Sequence, residues 1–260
     1  MKKFLIGAAA LGTTLAVLPL FAAFEAHVIN VTARIENALS VPTDPINFGT
    51  VFPQEQLDRR ISVKLSQSFL DEPRVDDVSY FIRQKPKCAW ISADGQSMWG
   101  PTMSGHVDDG GHMSCPPEPT HRPQEVPTTG VTWDMLPLLC PYLSKHPIAS
   151  STSATGEPIF DGNDGSLNAF HQIGAMVGGH WKWNDVAGYL AKSANDIIDW
   201  WNIDLKVPCF GGYCAQDWEG FVRGINPDAI PGDYVRPIAD EHKIFGCDLW
   251  VEVNGVSRAQ

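Results

Sequence analysis

The chain has 260 residues, with 19 lysines and arginines against 30 aspartates and glutamates, for a formal net charge of -11. That excess argues against nucleic-acid binding, which needs clustered cations to neutralise phosphates. Charged residues make up 19% and apolar residues 43%, enough for a sizeable core and against bulk disorder, while 23 Gly and 20 Pro point to a turn-rich, β-rich chain.

At the N-terminus Lys2 and Lys3 precede an uncharged stretch from Phe4 to Phe24, and small residues follow at Ala22, Ala23 and Ala26. A basic head, an apolar centre and a small-residue cleavage zone predict a secretory signal over residues 1–23 and a mature domain over 24–260. A permanent membrane anchor is the alternative, weakened by Gly7, Gly12, Thr13, Thr14 and Pro19. Removing the signal leaves 17 basic against 30 acidic residues, a net charge of -13.

Alternation with a period of two then predicts strands. Ile29, Val31, Ala33 and Ile35 share one face of the first, opposite Asn30, Thr32, Arg34 and Glu36. Ile61, Val63, Leu65 and Phe69 share a face of the second, and Val78, Tyr80 and Ile82 mark a third. From about Asp94 to Gly165 the pattern gives way to Gly, Pro, Ser, Thr and Asp with scattered His106, His112, His121 and His146, which predicts a loop-rich insertion pinned by Cys115 and Cys140. Ala187, Leu190, Ala191, Ala194, Ile197, Ile198 and Trp201 recur at three- and four-residue spacing, so the insertion is expected to turn helical before residue 202, with Ser193 as a helix cap. Ile203, Leu205 and Val207 predict another strand, Trp218, Phe221 and Val222 a short helix, and Phe245, Cys247, Leu249, Val251 and Val253 a closing strand. The fold expected is a jelly-roll-like antiparallel β-sandwich in a single domain, carrying a loop-rich, partly helical insertion over 94–202.

Six cysteines, Cys88, Cys115, Cys140, Cys209, Cys214 and Cys247, follow the export signal, which predicts up to three disulfides. Fifteen pairings are possible. Only Cys209 with Cys214 is favoured, because Phe-Gly-Gly-Tyr between them suits a tight turn. No CxxC pair supports a metal site.

The segment GHVDDGGHMSC gathers His106, Asp108, Asp109, His112 and Cys115, of which His106, Asp108 and His112 are the metal candidates. The two histidines stand six apart, without the i, i+4 spacing that aims two imidazoles at zinc, and HExxH is absent. Asp161-Gly-Asn-Asp-Gly resembles a calcium loop, but the fifth position is Gly165 and the twelfth Gln172, so a turn is expected there. Ser104 lies close to His106 without a nucleophile elbow. Asp76-Asp77, Asp108-Asp109 and Asp240-Glu241 read as solvated carboxylates. No catalytic residue and no cofactor is expected. Trp181 and Trp183 flank Lys182, and Trp200-Trp201 follow, which would suit a sugar-stacking platform. Asn30-Val31-Thr32 matches a glycosylation sequon by chance, since the apolar strand needs to stay bare.

AFEAHVINVTARIENAL directly behind the signal, INFGTVFPQEQLDRRISVKLSQSF next and VDDVSYFIRQKPK after it resemble the TasA/camelysin family of exported bacterial filament and matrix proteins, with Cys247 to Val253 in the place of the closing strand. Phe52-Pro53-Gln54-Glu55 stands where the family has a Pro-Gly-Asp turn, and the 94–165 segment and the six cysteines depart from its simpler members. The resemblance implies a jelly-roll subunit that polymerises outside the cell by donor-strand exchange, with Ile29, Val31, Ala33 and Ile35 as the pegs. Further copies of the chain are then the expected partners, with other matrix proteins or polysaccharide beside them, and a membrane only through an uncleaved signal. A secreted carbohydrate-binding module is the alternative, and a metal-dependent hydrolase around His106 and His112 a further one.

Overall fold

The computed structural model describes residues 34–42, 44–152, 158–159 and 162–258. The predicted signal and the pegs Ile29, Val31 and Ala33 lie outside the described residues. Glu36–Gln260 makes one compact unit.

Within Glu36–Gln260 the chain is mainly β, and its sheets are antiparallel. Strand β1 (Leu39–Ser40) pairs with β2 (Gln56–Leu65), and β2 pairs along its length with β14 (Ile198–Lys206), from Lys64 opposite Ile198 to Gln56 opposite Lys206. The other side of β14 takes β9 (His146–Thr152), followed by β10 (Pro158–Ile159), to complete a five-stranded sheet. A second sheet has β3 (Val75–Lys85) at its centre, between β13 (Val186–Ala191) and β15 (Asp248–Arg258). A third orders β4 (Lys87–Ser92) between β5 (Met98–Ser104) and β8 (Val131–Met135). Two hairpins stand apart, β6 (His106–Val107) with β7 (Met113–Ser114) and β11 (Gly174–Val177) with β12 (His180–Trp183).

The alternating residues form the interior. Val63 and Leu65 of β2, with Trp201, Ile203 and Leu205 of β14, share one buried cluster with Val78, Tyr80 and Ile82 of β3 and Val186 and Leu190 of β13. Two sheets that bury their apolar faces in a common core form a sandwich-like arrangement, left open rather than closed into a barrel. At the centre the Tyr80 hydroxyl donates to Asp199 Oδ2 at 2.5 Å and accepts from Trp201 Nε1 at 2.9 Å. Gly188 of β13 stands opposite Tyr80 in register, and a Cβ there would overlap the phenol ring.

Phe69 departs from the predicted second strand. The hydroxyl of Ser66 accepts from the Phe69 N–H at 3.1 Å and caps a short helix α1 (Gln67–Asp71), on which Phe69 is buried. The short helix predicted around Trp218 is α2 (Trp218–Ile225), and it buries Trp218 and Val222. Phe170 packs edge-on against Trp218 and Phe221 of that helix, at 5.7 and 5.8 Å.

The helical insertion is corrected. Residues 167–201 hold β11, β12, β13 and the start of β14, with no α-helix among the described residues of 94–202. The three- and four-residue spacing arises because a strand, a tight turn and another strand follow in quick succession. Ala191 bridges Asp196 across a turn in which Asn195 has φ +56°, and Gly178 and Gly179, both at positive φ, close the β11–β12 hairpin. Ser193 caps no helix: its N–H and its hydroxyl both donate to the Asp76 carboxylate, at 2.9 and 2.5 Å. The 94–202 segment is not an insertion outside the sheets, since it supplies strands to all three of them.

Cys209 bonds to Cys214, Cys115 to Cys88 and Cys140 to Cys247. Cys115 and Cys140 thus pin the loop-rich stretch to residues on either side of it. Chain entropy ranks the three bonds by the loop they close, 107, 27 and 5 residues in sequence separation. Replacing Cys140 and Cys247 together by Ser should lower unfolding free energy by about 4–5 kcal/mol, and the Cys209–Cys214 pair by about 2 kcal/mol, measured by urea titration. Gly188→Ala should cost about 1–3 kcal/mol by displacing Tyr80, and a Tyr80→Phe background should not restore the loss, because the clash is with the ring.

Candidate functional site

The assembly segment predicted from sequence is described over its last residues only. Ile35 is 92% exposed, and Arg34–Asn37 have irregular backbone rather than strand geometry. Pairing begins just after them: the Ser66 N–H donates to Ala38 O at 2.8 Å, and β1 follows.

The second sheet has two edges that differ. Along β13, Gly165 donates from its N–H to Ala187 O at 2.9 Å, and Asp164 accepts from the Tyr189 N–H at 3.1 Å, so a loop covers that edge. Along β15, no other strand pairs with the outer side among the described residues. Register shifts at Val253/Gly255 and Val256/Arg258 confine the regular part of this edge to Asp248–Val253. Leu249 and Val251 pack on the core, whereas Trp250, Val253 and Val256 are exposed. The acidic groups of β15 are already engaged: Glu252 contacts Arg83 at 2.7 Å and Lys85 at 3.2 Å, and Asp248 contacts Lys87 at 3.0 Å.

The metal candidates are held within the β6–β7 turn. Asp108 accepts from the His112 N–H at 2.9 Å and lies 3.2 Å from its Nδ1, while His106 Nε2 meets Ser114 Oγ at 2.9 Å. The structure therefore brings Asp108 to His112 but turns His106 to a different partner, and Cys115 is in a disulfide. Among the described residues no group of three or more His, Cys, Asp or Glu is placed to hold a metal ion. Ser104 donates to Asp248 Oδ2 at 2.6 Å and accepts from Trp250 Nε1 at 2.7 Å, away from His106. Asp161 of the calcium-like sequence is outside the described residues. Asp240, expected on a solvated face, is buried instead and paired with Arg236 at 2.5 Å and Lys243 at 2.9 Å.

The tryptophans do not form one platform. Trp201 is in the core, Trp200 is exposed on the other face of β14, and Trp181 and Trp183 meet edge-on at 89°. Lys85 lies 3.4 Å over the ring of Trp250 and covers that face.

A buried polar cluster is the feature that sequence reasoning missed. Gln84 of β3, Lys145 just before β9 and His171 are 1%, 0% and 5% exposed. His171 Nδ1 lies 2.6 Å from Asn168 O, a carbonyl that can only accept, so Nδ1 carries the proton and Nε2 is an acceptor. The Gln84 carboxamide must then present its nitrogen to His171. In that orientation Gln84 Nε2 donates to His171 Nε2 and to Cys140 O, both at 2.9 Å, and Oε1 accepts from Lys145 Nζ at 3.0 Å. Burial pushes the His171 imidazole down to about 3, with the neighbouring Lys145 charge acting the same way. Burial also pushes the Lys145 ammonium down to about 7, against a smaller upward pull from Asp185. One signal was legible: Gln84 continues the Val78, Tyr80, Ile82 alternation onto the buried face. Nothing in the sequence marks Lys145 or His171 as its partners.

Compared with known proteins, the chain matches no family model, no curated sequence and no solved structure. Its likeness to the TasA/camelysin pattern rests on the sequence segments quoted above.

Because His171 titrates near 6.5 when unfolded and near 3 when folded, the unfolded chain binds the extra proton between those values. Its contribution is complete above pH 6.5 and is lost as pH falls toward 3. Urea midpoints should therefore fall on acidification, with a slope from this group approaching about 1.4 kcal/mol per pH unit between pH 6 and 4.5, and His171→Gln should flatten that part of the profile.

Proposed function

We propose that the chain is an exported structural subunit of cell-surface or extracellular-matrix fibres, in which the N-terminal strand of one copy adds to the open β15 edge of the next. The observation that carries this reading is the conjunction of a regular edge over Asp248–Val253, with which no described strand pairs, and an apolar-alternating segment that ends at the 92% exposed Ile35. An unpaired edge offers a row of N–H and C=O groups, and strand addition satisfies them while alternate side chains choose the register. The role is structural rather than catalytic.

Three disulfides fit an oxidising or extracellular environment. No helix among the described residues is long and apolar enough to cross a membrane. The disulfides are compatible with export, and the signal-like residues 1–23 supply the route.

Electron microscopy of the secreted protein, with and without residues 24–36, tests the reading. Filaments are expected from the longer form and monomers from the shorter one. Monomers from both, at high concentration, would overturn strand exchange and favour the carbohydrate-binding module.

A further inference from the structure

We propose that Lys145 and Gln84 join in an intramolecular amide cross-link, formed when Lys145 Nζ attacks the Gln84 carboxamide carbon and ammonia leaves. The three parts such a step requires are already together. The nucleophile stands 3.0 Å from the carboxamide oxygen, bonded to the carbon it would attack, and the leaving nitrogen stands 2.9 Å from His171 Nε2. Burial favours the uncharged amine, the form with a free lone pair. Exclusion of water from groups this buried removes the competing hydrolysis and holds the reactants at a high effective concentration.

Atoms and electrons balance without any further reagent. A C–N bond forms between Gln84 Cδ and Lys145 Nζ, the original Cδ–Nε2 bond breaks, and one proton from Nζ ends on the departing nitrogen as ammonia. His171 has a bare Nε2 beside that nitrogen, so it passes the proton on as it accepts it, without resting as the imidazolium that burial disfavours. Nothing is oxidised or reduced. The product would tie β3, the centre of one sheet, to the residue preceding β9 of the other, beside the Cys140–Cys247 bond whose Cys140 carbonyl already accepts from Gln84. Unlike that disulfide, the amide would survive reduction. The inference stands independently of fibre assembly, since it concerns groups within one compact unit.

The test is peptide mapping of the reduced, purified full chain by mass spectrometry. Trypsin is expected to release one branched peptide containing Gln84 and an uncleaved Lys145, lighter than its two parts together by one ammonia, about 17 Da beyond ordinary peptide arithmetic. A succinimide at Asn254-Gly255 would have the same mass change, so the position of the loss and not the total decides. Lys145→Met and Gln84→Met should each abolish the branched peptide. His171→Ala should slow its appearance by about 100-fold while leaving the disulfides in place. Should those variants fail to fold, the wild-type digest still decides. Recovery of Gln84 and Lys145 on separate unmodified peptides, after prolonged incubation of the folded protein at pH 8, would overturn the proposal.

Discussion

Strand β3 turns Val78, Tyr80, Ile82 and Gln84 to the same buried side, and two of these four carry polar groups. A strand's two-residue period leaves no freedom to place a polar side chain elsewhere once its neighbours are committed inward. The rest of the interior therefore answers to β3. The five-stranded sheet supplies Asp199 and Trp201 to the Tyr80 hydroxyl, and the segments around residues 145 and 171 supply an amine, an imidazole and the Cys140 carbonyl to the Gln84 amide. Burial and the charge of Asp199 push the Tyr80 phenol well above its ordinary range, so it stays protonated and donates. Leaving either polar group unanswered would cost about 1–3 kcal/mol, which makes the facing residues part of the constraint rather than decoration.

How much of this is legible in the sequence follows from how local each interaction is. Val63 and Leu65, Val78, Tyr80 and Ile82, and Ile203 and Leu205 are legible because alternation is a property of adjacent residues. Cys209 with Cys214 is legible for the same reason. The Cys140–Cys247 bond closes a separation of 107 residues, and the Lys145, His171 and Gln84 cluster draws on three distant segments, so no local pattern encodes either.

The stretch from 167 to 201 departs from the helical expectation for a different reason. Apolar residues at three- and four-residue spacing satisfy a helix, but so does an inward-facing strand that ends, turns over four residues and begins again. The decisive signals were the residues that a helix tolerates least: Gly178-Gly179 at positive φ, Gly188 under the Tyr80 ring, and Asn195 in the left-handed region. These outrank spacing because they constrain the backbone directly. Phe69 illustrates the same hierarchy at smaller scale, where the capping hydroxyl of Ser66 ends a strand that alternation alone would extend.

Exposed edges are usually blunted by charge, by bulges or by covering loops. The two outer strands of the second sheet divide these devices between them. A loop through Asp164 and Gly165 covers β13, while β15 relies on bulges beyond Val253 and leaves Asp248–Val253 regular. The charges that should discourage pairing there are turned to another use: Asp248 and Glu252, with Asp185 as the second partner of Arg83, offset Arg83 and Lys85 of β3 and Lys87 of β4. A paired carboxylate repels an incoming strand less than a free one, because the field of the ion pair falls off faster than that of a single charge. The overall acidic excess of the chain still keeps whole molecules apart at long range. Repulsion between bodies combined with a locally neutral edge is a division of labour that suits selective pairing better than indiscriminate clumping, and it is the electrostatic counterpart of the strand-addition reading.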